Sequence, residues 1–199
     1  EISAAIGGPA MTERFLQKAA ACKFCTIGCR RVMKNEQPPY QMDSGPGPEY
    51  ETVAALGALC FNSDAASILK INEWCNRYGM DTITTGHLVA FTMECYEKGL
   101  LDEKLLDGLK PVWGDPSAIL ELIHRIARRE GIGDILARGS REAARLIGQG
   151  AEELTCEIKG LDVPMHDPRA FHGMGLAYMM SNRGACHNAH LVHPIEQGI

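Results

Sequence analysis

The 199-residue sequence is 45% hydrophobic and 23% charged, a globular composition that excludes a disordered chain and suffices for one large core or two small ones. Its 20 Lys and Arg stand against 25 Asp and Glu, and the net charge of −5 excludes a general attraction to nucleic acid or an anionic membrane. The most apolar stretch, 88–96, is well short of the roughly 20 residues a membrane-spanning helix needs, so the expectation is a soluble, cytoplasmic protein. A start at Glu1 without Met, and no signal-peptide succession, read as an excised piece of a longer protein.

Residues 12–21 (TERFLQKAAA) are helix formers behind a capping Thr12, so a short helix is predicted to deliver the loop that follows. That loop holds Cys22, Cys25 and Cys29, a Cys-x2-Cys-x3-Cys spacing that lets three thiolates turn toward one centre. No second Cys or His pair follows at zinc-finger spacing, so an iron–sulfur site is the better match, with zinc or a fortuitous group of thiols as the alternatives. The gap order is the reverse of the radical-SAM arrangement, and no Cys-Pro follows closely as in bacterial ferredoxins. Lys23, Arg30, Arg31 and Lys34 either offset the charge of a thiolate cluster or form a solvated basic face.

Prolines and glycines predict an irregular connection over 35–49. Ser63 is expected to cap a helix through Tyr78, in which Ile68, Ile71, Cys75 and Tyr78 share a face with Trp74 and Gly79 takes the C′ position. Residues 82–98 read as a helix apolar nearly all round, hence central in a bundle. Asp115-Pro116 is an N-cap with Pro at N1, opening a helix to Gly131 with Ile119, Leu122, Ile123, Ile126 and Ala127 as its buried stripe. Another helical stretch runs from Asp134 to Gly148, weakened at Gly139-Ser140, and 154–158 is the best strand candidate. The fold expectation is mainly α, with a helical domain over 1–155 and the start of a second, truncated helical domain over 156–199.

Cys60, Cys75, Cys95, Cys156 and Cys186 stand singly and read as reduced, buried thiols. No Walker loop, Gly-x-Gly-x-x-Gly or zinc-protease motif is present; the glycine-rich GPGPEYE lacks a following Lys, and its prolines remove amide donors, so it reads as a turn. As isolated residues, a loop carboxylate or a single histidine is most simply solvated or bonded to backbone, and His166, His172, His190 and His193 are too scattered to assign.

Four stretches change that reading: CKFCTIGC at 22–29, GPEYET at 47–52, NEWCNRYGMDTITTG at 72–86 and DPRAFHGMGLAYMMSNRGACH at 167–187. In content and order they resemble the tungsten-containing aldehyde:ferredoxin oxidoreductase family, and the likeness continues between them over nearly the whole chain. It implies the middle helical domain and the beginning of the last, without the N-terminal pterin-binding β domain and the C-terminal remainder. Cys22, Cys25 and Cys29 would then supply three ligands of a [4Fe–4S] cluster, with the fourth beyond residue 199. The family's Asp-x-x-Gly-Leu-Asp/Cys pterin segment is matched by 76–81, where Asn76 replaces the first Asp, Met80 replaces Leu, and Gly79 and Asp81 are kept. Without the family, Gly79 is a C-cap and Asp81 the next helix's N-cap.

The resemblance further implies a tungsten (or molybdenum) bis-pterin with no protein ligand to the metal. Glu51 and His187 match the catalytic positions beside it, Glu49 being the alternative to Glu51, and Arg183 is a candidate for a cofactor phosphate. A carboxylate and an imidazole suit oxidation of an aldehyde by water, in which a proton leaves as oxygen is added. Ferredoxin is the implied electron acceptor, and homodimers are common in the family. The rival readings are the tungsten subunit of a benzoyl-CoA-type reductase and an inactive helical zinc-binding or assembly module.

Overall fold

A computed structural model describes residues 2–198. Two short helices, α1 (Ile2–Ile6) and α2 (Gly8–Phe15), lead into a three-stranded antiparallel sheet of β1 (Leu16–Ala20), β2 (Arg30–Asn35) and β3 (Met42–Pro46), in that spatial order. The predicted helix over 12–21 is corrected: Thr12 lies inside α2, the helix ends at Phe15, and Leu16, Lys18 and Ala20 pair with Met33, Val32 and Arg30. Leu, Gln, Lys and Ala favour helix only by fractions of a kcal/mol, a preference that cross-strand pairing overrides. The connection over 35–49 is likewise not wholly irregular, since β3 lies within it; its proline, Pro46, sits at the end of an edge strand, where a missing N–H costs no ladder bond. Consequently all three loop cysteines fall in the β1–β2 connection.

A second group follows: α3 (Tyr50–Val53), which runs directly into a π-helical turn (Ala54–Ala58), then α4 (Ala65–Tyr78), α5 (Thr82–Glu97), α6 (Pro116–Arg128), α7 (Ile132–Leu136) and α8 (Ser140–Ile147). Asp64, not the expected Ser63, caps α4, its carboxylate accepting from the N–H groups of Ala66 and Ser67. Gly79 ends α4 at φ 69°, a left-handed conformation that a side chain resists. Asp115 caps α6 as expected, but the helix ends at Arg128, with Arg129 as its left-handed cap, rather than at Gly131.

Helix α5 is buried nearly all round, through Leu88, Val89, Phe91 and Met93, because α3, α6, α8 and the π turn pack against it. From α6, Ile119, Leu122 and Ile123 complete this core, each worth about 1.5–3 kcal/mol of burial. A smaller core joins α1, α2 and the sheet to α4 through Met11, Met33 and Ile68.

Beyond α8 come a 3-10 turn (Ala151–Leu154) and a minimal hairpin of β4 (Glu157–Ile158) and β5 (Leu161–Asp162). The strand expected over 154–158 is thus only its last two residues. Two helices that composition did not announce close the chain, α9 (His172–Met180) and α10 (His193–Glu196). Met174, Tyr178 and Ala185 form the third small core beneath them. No helix among the described residues is long and apolar enough to cross a membrane.

Candidate active site

Glu51 sits in the first turn of α3 and is only 8% exposed. Its Oε2 accepts the N–H of Met165 at 2.6 Å, and its Oε1 lies 2.5 Å from His166 Nδ1 and 4.0 Å from His187 Nδ1. Glu49 lies outside the helix with its side chain 71% exposed, 3.8 Å from Arg31. The structure therefore separates the two carboxylates of the motif, turning one inward and the other to water.

Burial pushes Glu51 above the usual carboxylate range, against the opposing pull of the Met165 N–H. Burial also holds His166, His187 and His193 below the ordinary imidazole value. All four groups are thereby driven toward their neutral forms.

The imidazoles gather on one side of the carboxylate. His166 stacks on His187 with centroids 5.6 Å apart and planes at 14°, and touches His193 at 4.0 Å. Its backbone carbonyl accepts the Tyr178 hydroxyl at 3.1 Å, while the Tyr50 ring packs at 4.8 Å and the Tyr50 hydroxyl donates to Met165 O at 3.2 Å. His172 and His190 stay exposed, outside the group. Sequence reasoning missed His166 and His193 because their partner Glu51 is more than a hundred residues away; the only signal was the local density of histidine.

A pocket of about 110 Å³ opens beside His187, lined also by Asp81, Thr84, Asp162, Arg183 and Cys186. Asp81 caps α5, accepting from Thr84 N–H at 2.8 Å, and Arg183 Nη1 lies 3.6 Å from Cys186 Sγ. Asp162, which the sequence did not single out, is buried, and burial raises its pKa although the Ser140 hydroxyl donates to it at 2.5 Å. This polar lining fits the edge of a heterocycle carrying N–H donors and ring-nitrogen acceptors, though not a whole pterin cofactor. Asn76 is not brought here: its amide donates to Asn72 O at 2.9 Å, and it lines a separate pocket of about 270 Å³ with Asp43, Gly45 and Arg77. A larger apolar cavity of about 760 Å³, lined by Leu59, Ile158, Val163, Met165, Tyr178 and Met179, lies along the segment that bonds Glu51.

In the β1–β2 connection a turn closes with Cys25 N–H donating to Cys22 O at 3.0 Å. Cys22 and Cys29 are exposed and Cys25 half-buried, with Phe24 and Ile27 standing 95% and 82% exposed between them. Burial pushes the thiols of Cys60, Cys75 and Cys95 up to about 12, which keeps them protonated and unsuited to ligation. The three loop thiols suit a metal cluster in donor type and accessibility, although no group of three or more His, Cys, Asp or Glu among the described residues is arranged to hold a metal ion.

Comparison with known proteins defines first a class, the helical part of an oxidoreductase: residues 1–198 match the family described as aldehyde ferredoxin oxidoreductase, domains 2 and 3. The tungsten-containing aldehyde ferredoxin oxidoreductases of Pyrococcus furiosus and Thermococcus kodakarensis are 44% and 42% identical over 90% of this chain. An active-site complex BamBC of benzoyl coenzyme A reductase superposes with a TM-score of 0.68 at 27% identity, over 78% of this chain and 23% of that one. The chain belongs to the aldehyde ferredoxin oxidoreductase family, and it spans 29% of the length of those two archaeal relatives.

Proposed function

We propose that this chain supplies the acid–base wall and the cluster loop of an enzyme that oxidises an aldehyde to its carboxylic acid and passes the electrons to ferredoxin. The observation that carries the reading is Glu51, buried and bonded through both oxygens, 4.0 Å from His187 at the edge of a pocket shared with Asp81 and Arg183. When bound, a tungsten (or molybdenum) bis-pterin supplies the two-electron acceptor. Asp81 would hold the ring edge and Arg183 would meet a phosphate, while Asn76, at the end of α4, would reach the cofactor only from the separate pocket it lines with Asp43 and Arg77. Glu51 takes the proton released as a water oxygen is added to the carbonyl carbon, and His187 holds the carbonyl oxygen in place. The apolar cavity beside Met165 receives the aldehyde's carbon chain.

Cys22, Cys25 and Cys29 provide three thiolate ligands of a [4Fe–4S] cluster, the fourth coming from outside these residues. Residues 14–34 carry six cations, Arg14, Lys18, Lys23, Arg30, Arg31 and Lys34, and no acid, in a chain of net charge −5. Such a basic face favours an acidic electron carrier. In the same reading 1–155 and 156–199 belong to two successive helical domains, with the site between them.

The benzoyl-CoA reductase likeness supports a second reading, reduction of an aromatic ring on the same scaffold, which substrate assays separate from the first. The test of the cofactor assignment is elemental analysis and an absorption spectrum of the full-length protein purified without oxygen. About four cluster irons per polypeptide, together with tungsten, are expected, and Cys25→Ser should lower the iron and slow transfer to ferredoxin. Zinc alone, or unchanged iron in the variant, would leave a helical module without this chemistry.

A further inference from the structure

Oxidation at a buried carboxylate leaves a proton on a group that is only 8% exposed to bulk solvent. Glu51 Oε2 is occupied by the Met165 N–H, so Oε1 is the atom free to exchange a proton, and the group it faces is His166 Nδ1 at 2.5 Å. His166 is itself 8% exposed, between the Tyr50 and Phe171 rings. The His193 ring centroid lies 4.0 Å from its own, and His193 Nδ1 is a buried nitrogen with no hydrogen-bond partner among the described residues. His193 opens α10, whose following residues Ile195 and Glu196 are exposed, whereas His187 faces the pocket of Asp81 and Arg183.

We propose that His166 and His193 form a proton exit from Glu51 to solvent; this rests on the acid–base reading of Glu51. The Glu51 O–H bond breaks as an N–H bond forms at His166 Nδ1. His166 Nε2 gives up its own proton and the unpartnered Nδ1 of His193 takes one up; the ring centroids lie 4.0 Å apart with no hydrogen bond between the rings, so a water passes the proton across, and His193 Nε2 releases a proton to solvent. One proton enters and one leaves, and no electron moves along this path. Burial raises the carboxyl and lowers both imidazoles, which narrows the gap a proton must cross between them. The other titratable groups facing the path are His187, Asp81, Asp167, Tyr50 and Tyr178.

The test uses the full-length holoenzyme. Infrared spectroscopy through a single turnover in deuterated water reads hydrogen–deuterium exchange at the Glu51 carboxyl that has taken the substrate proton, identified by its absence in Glu51→Gln. His193→Gln and His193→Ala should slow that exchange at least tenfold with unchanged tungsten and iron, and added imidazole should restore it in His193→Ala. In single turnovers with an indicator dye, proton release should lag cluster reduction in both variants. Exchange and release at the wild-type rate in both would overturn the exit path. Full turnover in Glu51→Gln would instead overturn the acid–base reading, so the two failures are distinguishable.

Discussion

Gly86→Ala places one methyl group where the helix bearing Glu51 meets the central helix. A Cβ at Gly86 would stand 2.6 Å from Ala55 Cβ and 2.8 Å from both Ala55 C and Ala55 O, in the π turn that continues α3. Carbon atoms rest at about 3.5–4.0 Å, so α5 and the π turn must part by about 1 Å, and the backbone atoms in the way cannot rotate aside. Overpacking at its upper end costs about 3 kcal/mol. The gain in helix propensity returns about 1 kcal/mol, leaving a loss of about 2 kcal/mol. Urea unfolding of the chain should show this as a lower midpoint at unchanged slope. Gly57→Ala is the control, because its Cβ would meet the movable Cδ1 tips of Ile6 and Ile68 at 2.6 and 2.9 Å, and its loss should be smaller. In the full-length enzyme the same displacement of Glu51 should cost about a hundredfold in turnover. A Gly86→Ala chain stabilised by about 1 kcal/mol, the propensity gain alone, would refute the reasoning.

Other perturbations test the site and the fold separately. Glu51→Gln should lower turnover of the full-length protein by about 10²–10⁴-fold while tungsten and iron stay constant; wild-type turnover would move the acid–base role elsewhere. Asp115→Ala removes the acceptor of the Ser117 N–H at 2.9 Å and should cost about 1 kcal/mol in urea unfolding, a cost that vanishes if water caps α6 equally well. Stability should also fall on acidification. His166, His187 and His193 titrate in the native state below 6.5, so the unfolded chain binds more protons as pH drops through that value. Glu51 acts oppositely, because its native value lies above 4.5 and the folded chain gains the proton first. Glu51→Gln should therefore steepen the acid loss, read as urea midpoints between pH 7 and 4.5; an unchanged slope would remove the carboxyl from this balance.

The helices α4, α5 and α6 were legible because local signals agree with their packing: an Asp cap, a left-handed glycine, a Pro at N1 and an apolar stripe of the right period. The sheet was not, since β1 is five residues of helix formers whose conformation depends on pairing with Arg30–Asn35, and pairing leaves little trace in a single strand's composition. Helix α9 escaped for the opposite reason. Apolar residues fill both its buried and its open faces, with Leu176, Met179 and Met180 exposed, so it shows little of the one-sided pattern that marks a surface helix.

The candidate site divides the same way. Motif spacing could nominate Glu49 and Glu51 together but not choose between them, because the choice is made by the register of a four-residue helix. Glu49 is the extended residue before the helix (φ −79°, ψ 168°) whereas Glu51 already lies in the helical turn, so the two side chains leave the chain in different directions. Once α3 starts at Tyr50 and is held against α5 at Ala55 and Gly86, Glu51 must face inward and Glu49 must face water. What Glu51 meets there is set by segments more than a hundred residues later, which bring Met165 N–H, His166 and His187 to its two oxygens. The acid–base character of that carboxylate thus comes from the junction between the helical bundle and the final segment. A substitution that loosens the junction without touching any of the four titratable groups should change their proton affinities together.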